Sequence, residues 1–161
     1  YLLMNIRLFK KSDWNQVKTI YQLGIDTGVA TFETTPPANV SLWLAKINPK
    51  LTFVLEEGDE LHGWITLSKI SSRCVYEGVG EISIYVHPHY QKRHVGKLLY
   101  LHLETEAKNC GYWTLQAQLF TENLASKEFF EKQGFRQVGT RKRIGQLENR
   151  WIDNYLYEKS L

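Results

Sequence analysis

Cysteine is scarce in this chain, and the positions of the two cysteines argue against a metal-binding or redox motif. The 161 residues include two cysteines, one methionine and four prolines. The two cysteines, Cys74 and Cys110, form no C-x-x-C pair, so neither a zinc knuckle nor a redox motif is supported. We interpret them as two unpaired thiols in a reducing compartment, and we expect a cytoplasmic protein.

The chain also lacks a long apolar run and a strong net charge. No run approaches the roughly 20 residues that a membrane helix needs, and the charged N-terminus is unlike a signal peptide. The net charge is +3, too small to indicate nucleic acid by itself. We expect neither a membrane nor a nucleic-acid partner, whereas a small anionic ligand suits this charge. Met4 is a candidate natural start, which would make residues 1–3 foreign to the protein.

The order of the predicted elements indicates an α/β protein with a mixed sheet. The chain length suits one domain with one core, so we predict a single domain over residues 1–161. Apolar periodicity and turn residues predict the order β-α-α-β-β-β-α-β-α-β-β. The predicted helices cover residues 12–23, a segment from 39 or 41 to 47, 95–109 and 123–134. The predicted strands cover residues 5–9, two segments within 51–70, 80–88, 112–120, 135–144 and 150–159.

A short basic loop joins a predicted strand to the third helix. Such a loop presents backbone N–H groups at the positive end of the helix dipole, where an anion binds favourably. It is not a nucleotide-binding P-loop, because Leu98 stands where that motif has serine or threonine, and the dinucleotide pattern G-x-G-x-x-G is absent. The loop and the start of the helix supply seven candidate anion-binding residues: Gln91, Lys92, Arg93, His94, Val95, Gly96 and Lys97.

Together with its neighbouring motifs, the loop resembles that of the GNAT (GCN5-related N-acetyltransferase) superfamily, where it holds the pyrophosphate of acetyl-CoA. Three segments resemble the phosphinothricin/methionine-sulfoximine acetyltransferase branch, and the resemblance covers roughly residues 5–158: GEISIYVHPHYQKRHVGKLL, LFTENLASKEFFEKQGFRQVG and RIGQLENRWIDNYLYEK. It implies a mixed, mostly antiparallel central sheet with flanking helices, acetyl-CoA as cosubstrate, a small-molecule amine as acceptor, and a homodimer.

His94 departs from the pattern of the resembled loop. It occupies the position of the first glycine, where a Cβ would crowd the pyrophosphate or require a positive φ of a non-glycine residue. Because the ligand contacts of such a loop are made mainly by the backbone, we expect the loop to bind its ligand all the same.

The strand E-I-S-I-Y-V (residues 81–86) supplies the candidate catalytic groups. Glu81, Ser83 and Tyr85 alternate with apolar residues and therefore point to one face of the strand. Acetylation requires a neutral amine, so a base or a water relay must take a proton. The resemblance implies that Glu81 is this base. It also places Phe130 where many members have a proton-donating tyrosine, which leaves Tyr85, another group, water or no donor for the departing thiolate.

The resemblance further implies the remaining contacts of acetyl-CoA. Backbone groups of Tyr85, Val86 and His87 would contact the pantetheine arm and the acetyl carbonyl, and an N–H near Val86 would stabilise the oxyanion. Asn123 and Ser126 would help to hold the CoA. Asn123 is also a good N-cap for the helix that follows it.

For the acceptor, the resemblance implies a pocket formed by Phe32, Glu33, Arg73 and Tyr76. An arginine suits a substrate carboxylate because its planar fork binds both oxygens. A second arginine common in the branch is replaced here, at Ser71. Trp64 lines the pocket or simply packs in the core. We expect a small amino acid or analogue as acceptor rather than a lysine of a protein tail.

Two other functions were considered for the same residues. The histidines at positions 87, 89, 94 and 102 lack carboxylate or cysteine partners at ligand spacing, so we expect no metal site. A non-catalytic acyl-CoA sensor or scaffold of the same fold is the stronger rival, since His94 and Phe130 both favour it. We predict an N-acetyltransferase that works by direct transfer in a ternary complex, because neither cysteine is placed to form an acyl-enzyme.

Overall fold

The computed structural model describes residues 3–161, which form a seven-stranded sheet and four helices. The strands are β1 (Met4–Leu8), β2 (Thr52–Glu57), β3 (Glu60–Lys69), β4 (Val79–Val86), β5 (Thr114–Phe120), β6 (Arg136–Leu147) and β7 (Arg150–Ser160). The helices are α1 (Trp14–Ile25), α2 (Val40–Leu44), α3 (Val95–Asn109) and α4 (Leu124–Lys132). The predicted element order is confirmed. Met4 was predicted to be a natural start, with residues 1–3 foreign to the protein; of these three, residues 1 and 2 lie outside the described residues.

The sheet has the strand order β1-β2-β3-β4-β5-β7-β6. All neighbouring strands are antiparallel except β4 and β5, which are parallel. The predicted mixed, mostly antiparallel sheet is therefore confirmed. The parallel pair lies in the middle of the sheet, where a crossover through α3 connects its two strands.

Helices cover both faces of the sheet, and each face has its own core. On one face α3 and α4 pack against a cluster that includes Phe53 and Leu55 of β2. On the other face α1 and α2 pack against a cluster that includes Val54 and Trp64. Because the first half of β2 is buried on both faces of the sheet, its apolar residues Phe53, Val54 and Leu55 are consecutive rather than alternating with polar residues.

The start of α1 differs from the prediction. By sequence Ser12 is the expected N-cap of the first helix, but in the structure it lies inside a short 3-10 turn, Lys11–Asp13, that precedes α1. The carboxylate of Asp13 organises this turn, since it accepts the N–H of Lys10 at 2.8 Å and both terminal nitrogens of Arg7 at 2.8 Å.

The ends of the two long helices of the second half follow the prediction. By sequence, Gly111 and Gly134 are the expected stops of these helices. In the structure each lies two residues beyond the last residue of α3 or α4 and has a φ of +90°, a conformation that glycine adopts readily. Both cysteines are exposed and unpaired, as predicted. Within residues 3–161, no helix is long and apolar enough to cross a membrane.

Candidate active site

A gap opens between β4 and β5 near the middle of the sheet. The two strands pair over three residue pairs, from Val79–Thr114 to Glu81–Gln116, and then part although both continue. The backbone N–H of His87 donates to the carbonyl of His62 at 2.8 Å, across from β3. Because main-chain groups alternate in direction along a strand, those of Val86 face the gap instead.

A cleft of about 530 Å³ opens on the α1 face of the sheet, beside the last paired residues of β4. Its floor is formed by β3 and β4, and its walls by α1, by the end of α2 and by the loop before α2. The lining residues are Tyr21, Glu33, Thr35, Pro36, Pro37, Ala38, Trp43, Lys46, Ile47, Trp64, Thr66, Ser68, Glu81 and Ser83. Glu81 and Ser83 therefore share one face of β4, as the alternation predicts.

Two glutamines of β5 hold the carboxylate of Glu81. The side-chain amides of Gln116 and Gln118 donate to Oε1 of Glu81 at 2.9 and 2.8 Å. Both bonds reach the same oxygen, so the carboxylate is held in one orientation. Among residues 3–161 no hydrogen bond to Oε2 is found, which leaves that oxygen for another partner. The sequence analysis missed both glutamines, although their spacing of two in the strand T-L-Q-A-Q-L-F puts them on one face.

Tyr85 lies in an aromatic stack beside the cleft. Its ring stacks on Trp64 with a centroid distance of 4.8 Å, and it lies 5.0 Å from the ring of Tyr21. Gly24 of α1 makes room for this ring, because a Cβ there would lie 2.4 Å from two of its carbons. Burial raises the pKa of Tyr85, so its hydroxyl remains protonated at neutral pH.

The basic loop before α3 has two non-glycine residues in the left-handed conformation. Lys92 has a φ of +63° and His94 a φ of +62°. His94 therefore adopts the conformation that a glycine would adopt at this position, and its exposed side chain makes no capping hydrogen bond. The departure from glycine changes the side chain and not the path of the backbone.

The start of α3 presents unpaired donors to this loop. The first bond of the helix runs from the N–H of Leu98 to the carbonyl of His94 at 2.9 Å, so the N–H groups of residues 95–97 have no intrahelical partner. The side chains of Lys92, Arg93 and Lys97 are exposed around these donors, as is that of Gln91. Donors, helix dipole and positive charge together suit a pyrophosphate.

Gly96 serves a close contact between two helices. A Cβ at this position would lie 3.2 Å from the ring of Phe129 in α4, so the glycine lets α4 approach the first turn of α3. The sequence analysis attributed the small residue to a ligand alone. The next residue, Phe130, is buried in the core against Phe129 and Phe135.

Asn123 caps α4 and connects it to the loop before α2. Its Oδ1 accepts the N–H of Ser126 at 3.1 Å, and its Nδ2 donates to the carbonyl of Val29 at 3.4 Å. The predicted N-cap is confirmed. A contact of Asn123 or Ser126 with CoA stays a prediction.

The structure gathers only part of the predicted acceptor pocket. Glu33 and Trp64 line the cleft with Glu81, whereas the ring of Phe32 packs on Phe120 at 4.8 Å, outside the lining. Arg73 and Tyr76 are exposed on the loop before β4 and are not among the lining residues; the guanidinium carbon lies 5.5 Å from the tyrosine ring centre.

The cleft also contains lining residues that the sequence analysis missed. Tyr21 comes from α1, Trp43 from α2 and Lys46 from the turn after α2. They share the cleft with Glu81 only because the helices pack on the sheet. No local pattern in the sequence indicates such a contact.

Comparison with known proteins agrees with this geometry. The sequence model described as "Acetyltransferase (GNAT) family" matches residues 17–135. A phosphinothricin N-acetyltransferase of Alcaligenes faecalis is 29% identical over 161 residues, covering 97% of this chain and 82% of that protein. The L-amino acid N-acyltransferase MnaT of Escherichia coli is 26% identical over 154 residues, covering 93% of this chain and 90% of that protein.

A solved structure shows the same fold with a ligand. The GNAT superfamily phosphinothricin acetyltransferase of Sinorhizobium meliloti, in complex with acetyl-CoA, superposes with a TM-score of 0.88 at 25% identity and covers 98% of this chain and 88% of that chain. The family match spans well over half of the residues, and the backbone donors at the gap and at α3 suit acetyl-CoA. The chain belongs to the Acetyltransferase (GNAT) family and is an acetyl-CoA-dependent acetyltransferase.

Proposed function

We propose that the chain transfers the acetyl group of acetyl-CoA to the primary amine of a small amino acid or amino-acid analogue. The transfer is direct, in a ternary complex, with Glu81 as general base. The observation that carries this proposal is the position of Glu81. It lies in the cleft at the last residue pair before β4 and β5 part, so its carboxylate adjoins both the acceptor cleft and the gap.

Acetyl-CoA is proposed to bind along the gap and the start of α3. Its pyrophosphate accepts hydrogen bonds from the N–H groups of residues 95–97, with the basic side chains of Lys92, Arg93 and Lys97 around it. The main-chain groups of Val86 contact the pantetheine arm and the acetyl carbonyl. His87 contributes less than the resemblance implies, because its N–H bonds His62 and its carbonyl accepts the N–H of Tyr90 at 2.9 Å.

The proposed reaction uses groups on both sides of the gap. The amine passes a proton to Glu81, directly or through water, and its nitrogen attacks the acetyl carbon. The N–H of Val86 donates to the oxyanion that forms. When the intermediate collapses, the carbon–sulfur bond breaks and the thiolate leaves. Tyr85, which stays protonated at neutral pH, is our candidate donor to that thiolate; Phe130 has no proton to give.

The acceptor class is supported by the cleft and by the relatives. The cleft volume of about 530 Å³ suits a small molecule. Its lining combines aromatic and apolar side chains with seven that are polar or charged, which suits an acceptor that carries charged groups. The similar proteins from Alcaligenes faecalis and Escherichia coli are named for phosphinothricin and for L-amino acids.

Replacement of Glu81 by glutamine tests the proposal. In the Glu81→Gln variant the new carbonyl oxygen still accepts both amide bonds from β5, so the geometry is kept and only the proton acceptor is lost. We expect kcat for amino-acid acetylation to fall about 100-fold or more. We expect the acetyl-CoA dissociation constant, measured by calorimetry, to change less than about twofold. Glu77→Gln, on the exposed loop before β4, is the matched control.

A non-catalytic acyl-CoA binder of the same fold is the alternative that the same experiment would detect; Phe130, which cannot donate a proton to the thiolate, is the residue that suggests it. Such a protein would bind acetyl-CoA with micromolar affinity but would acetylate none of a panel of amines, with or without Glu81. Turnover by the unmodified chain that survives the Glu81→Gln replacement would instead refute the role of Glu81 as base.

A further inference from the structure

We propose that Lys46 binds the carboxylate of the acceptor and thereby selects amines that carry an acid group beside the amine. This inference rests on the proposed function and assigns a specificity-determining residue within the same cleft. Lys46 and Arg73 are both exposed, but only Lys46 lines the cleft; Arg73, which the family resemblance suggests for this role, lies on a loop outside the lining.

The charges of the cleft carry the first step of the argument. Its lining within the described part of the chain contains two acids, Glu33 and Glu81, and Lys46 is the single cation among them. An amino acid that places its amine at Glu81 brings its carboxylate into the same cleft, because one carbon atom separates the two groups. That carboxylate would be repelled by both acids, so binding requires a cation in the cleft.

The second step is that Lys46 is available. None of the ion pairs found among residues 3–161 involves Lys46, although nine pairs involve other residues. Its ammonium group therefore has no acidic protein partner to give up when a ligand carboxylate arrives. A ligand carboxylate would in turn be held by a charge-assisted hydrogen bond.

The third step is that the backbone of Lys46 is held in place. Its N–H donates to the carbonyl of Trp43 at 3.0 Å. Trp43 is buried, with its ring 5.3 Å from Trp64 and 5.0 Å from Phe9. The turn that carries Lys46 is therefore anchored to the aromatic core under the cleft. A charge on such an anchored turn discriminates between ligands better than one on a loose loop.

The floor under the proposed carboxylate is also polar. Ser68 and Ser83 line the cleft beside Glu81 and can donate hydroxyl groups to an anion. The hydroxyl of Thr66 is already paired with that of Thr52 at 2.6 Å. An amine without an acid group would leave Lys46 and these two serines to water.

The test compares L-methionine with L-methionine methyl ester, which share an amine and a side chain but differ in charge. In the Lys46→Met variant we expect KM for methionine to rise about tenfold or more. We expect KM for the ester and for acetyl-CoA to change less than about twofold, so that the preference for the acid is lost. Lys50→Met, on the next turn and outside the cleft, should behave as the unmodified protein.

The Arg73→Met variant decides between the two cations. If it abolishes the preference for methionine over the ester while Lys46→Met retains it, the assignment is overturned. An unchanged preference in Lys46→Met overturns it too, whatever Arg73→Met shows.

A binding measurement separates this inference from the proposed function. Trp43 and Trp64 report on the cleft by fluorescence, so methionine can be titrated in the presence of CoA without turnover. Weaker binding of methionine, but not of the ester, in Lys46→Met supports the assignment even if no amine is acetylated. If the unmodified protein and Lys46→Met bind methionine equally well, the assignment of Lys46 is refuted. If the ester is acetylated at normal rates in that case, the proposed function still stands.

Discussion

His94 allows a quantitative test of the loop that precedes α3. Its φ of +62° belongs to the left-handed region, which costs a non-glycine residue about 1–2 kcal/mol. Replacement by glycine removes this cost but makes the unfolded chain more flexible, at about 0.4–1 kcal/mol. The side chain is exposed and caps nothing, so no contact is lost. We therefore expect His94→Gly to stabilise the protein by about 0.5–1 kcal/mol.

The gain is measurable by thermal and urea unfolding. For a chain of this size, about 1 kcal/mol shifts Tm by roughly 2–4 °C, so Tm should rise by about 1–4 °C. Arg93→Gly is the matched control, since Arg93 is exposed and its φ is not positive. That variant should lose about 0.5–2 kcal/mol of stability, because glycine brings the entropic cost and removes the guanidinium that lies 5.8 Å from the centre of the Tyr90 ring.

Calorimetry of the same variants examines the ligand. We expect His94→Gly to bind acetyl-CoA within about twofold of the unmodified protein, because the backbone donors of α3 are unchanged. A fall in Tm equal to that of Arg93→Gly would refute the assignment of strain to His94. A loss of acetyl-CoA affinity above about tenfold would show that the imidazole itself contacts the ligand.

Two further predictions concern the packing and the charge of the fold. Gly24→Ala should lower the free energy of unfolding, measured in urea, by about 1–3 kcal/mol, because the new Cβ would overlap the ring of Tyr85. Gly139→Ala is the control and should cause no such loss, because a Cβ there meets no atom within 4 Å. Burial opposes ionisation of Asp13, but hydrogen bonds from Arg7 and from the N–H of Lys10 hold its pKa below the usual value. Its stabilising contribution is therefore complete above about pH 4 and is lost as the pH falls through the lowered pKa. Asp13→Asn should lower the free energy of unfolding at neutral pH by about 1–3 kcal/mol. It should also weaken the dependence of the urea midpoint on pH below about pH 4, and an unchanged dependence would contradict this role of Asp13.

The parts of the fold that depend on residues close together in the sequence were predictable. Alternation in β4 placed Glu81 and Ser83 on one face, and glycine after a helical pattern ended α3 and α4 at Gly111 and Gly134. The start of α1 was not predictable from the sequence. It depends on the ion pair between the Asp13 carboxylate and the Arg7 guanidinium from β1, and the sequence does not show that these two groups lie close together.

The site was predictable only where a motif carries it. The strand and the basic loop could be assigned because each is continuous in sequence. Lys46 and Gln118 could not. Lys46 joins the cleft lining only through the packing of helices on the sheet, and Gln118 reaches Glu81 only through the register of β5. For Arg73 the resemblance supplied a role, but the conformation of its loop leaves the side chain on the surface.

The parting of β4 and β5 connects the fold to the chemistry. If the two strands remained paired as far as Val86, its N–H would bond β5 and could not stabilise an oxyanion. Each such bond forgone costs about 1 kcal/mol of stability, and a ligand that enters the gap restores it. The amides of Gln116 and Gln118 reach from β5 to Glu81 at the point where pairing ends. They hold the proposed base at the edge of the opening. In the proposed reaction, the loss of strand pairing that creates the gap for the cosubstrate therefore also leaves this carboxylate within reach of the acceptor.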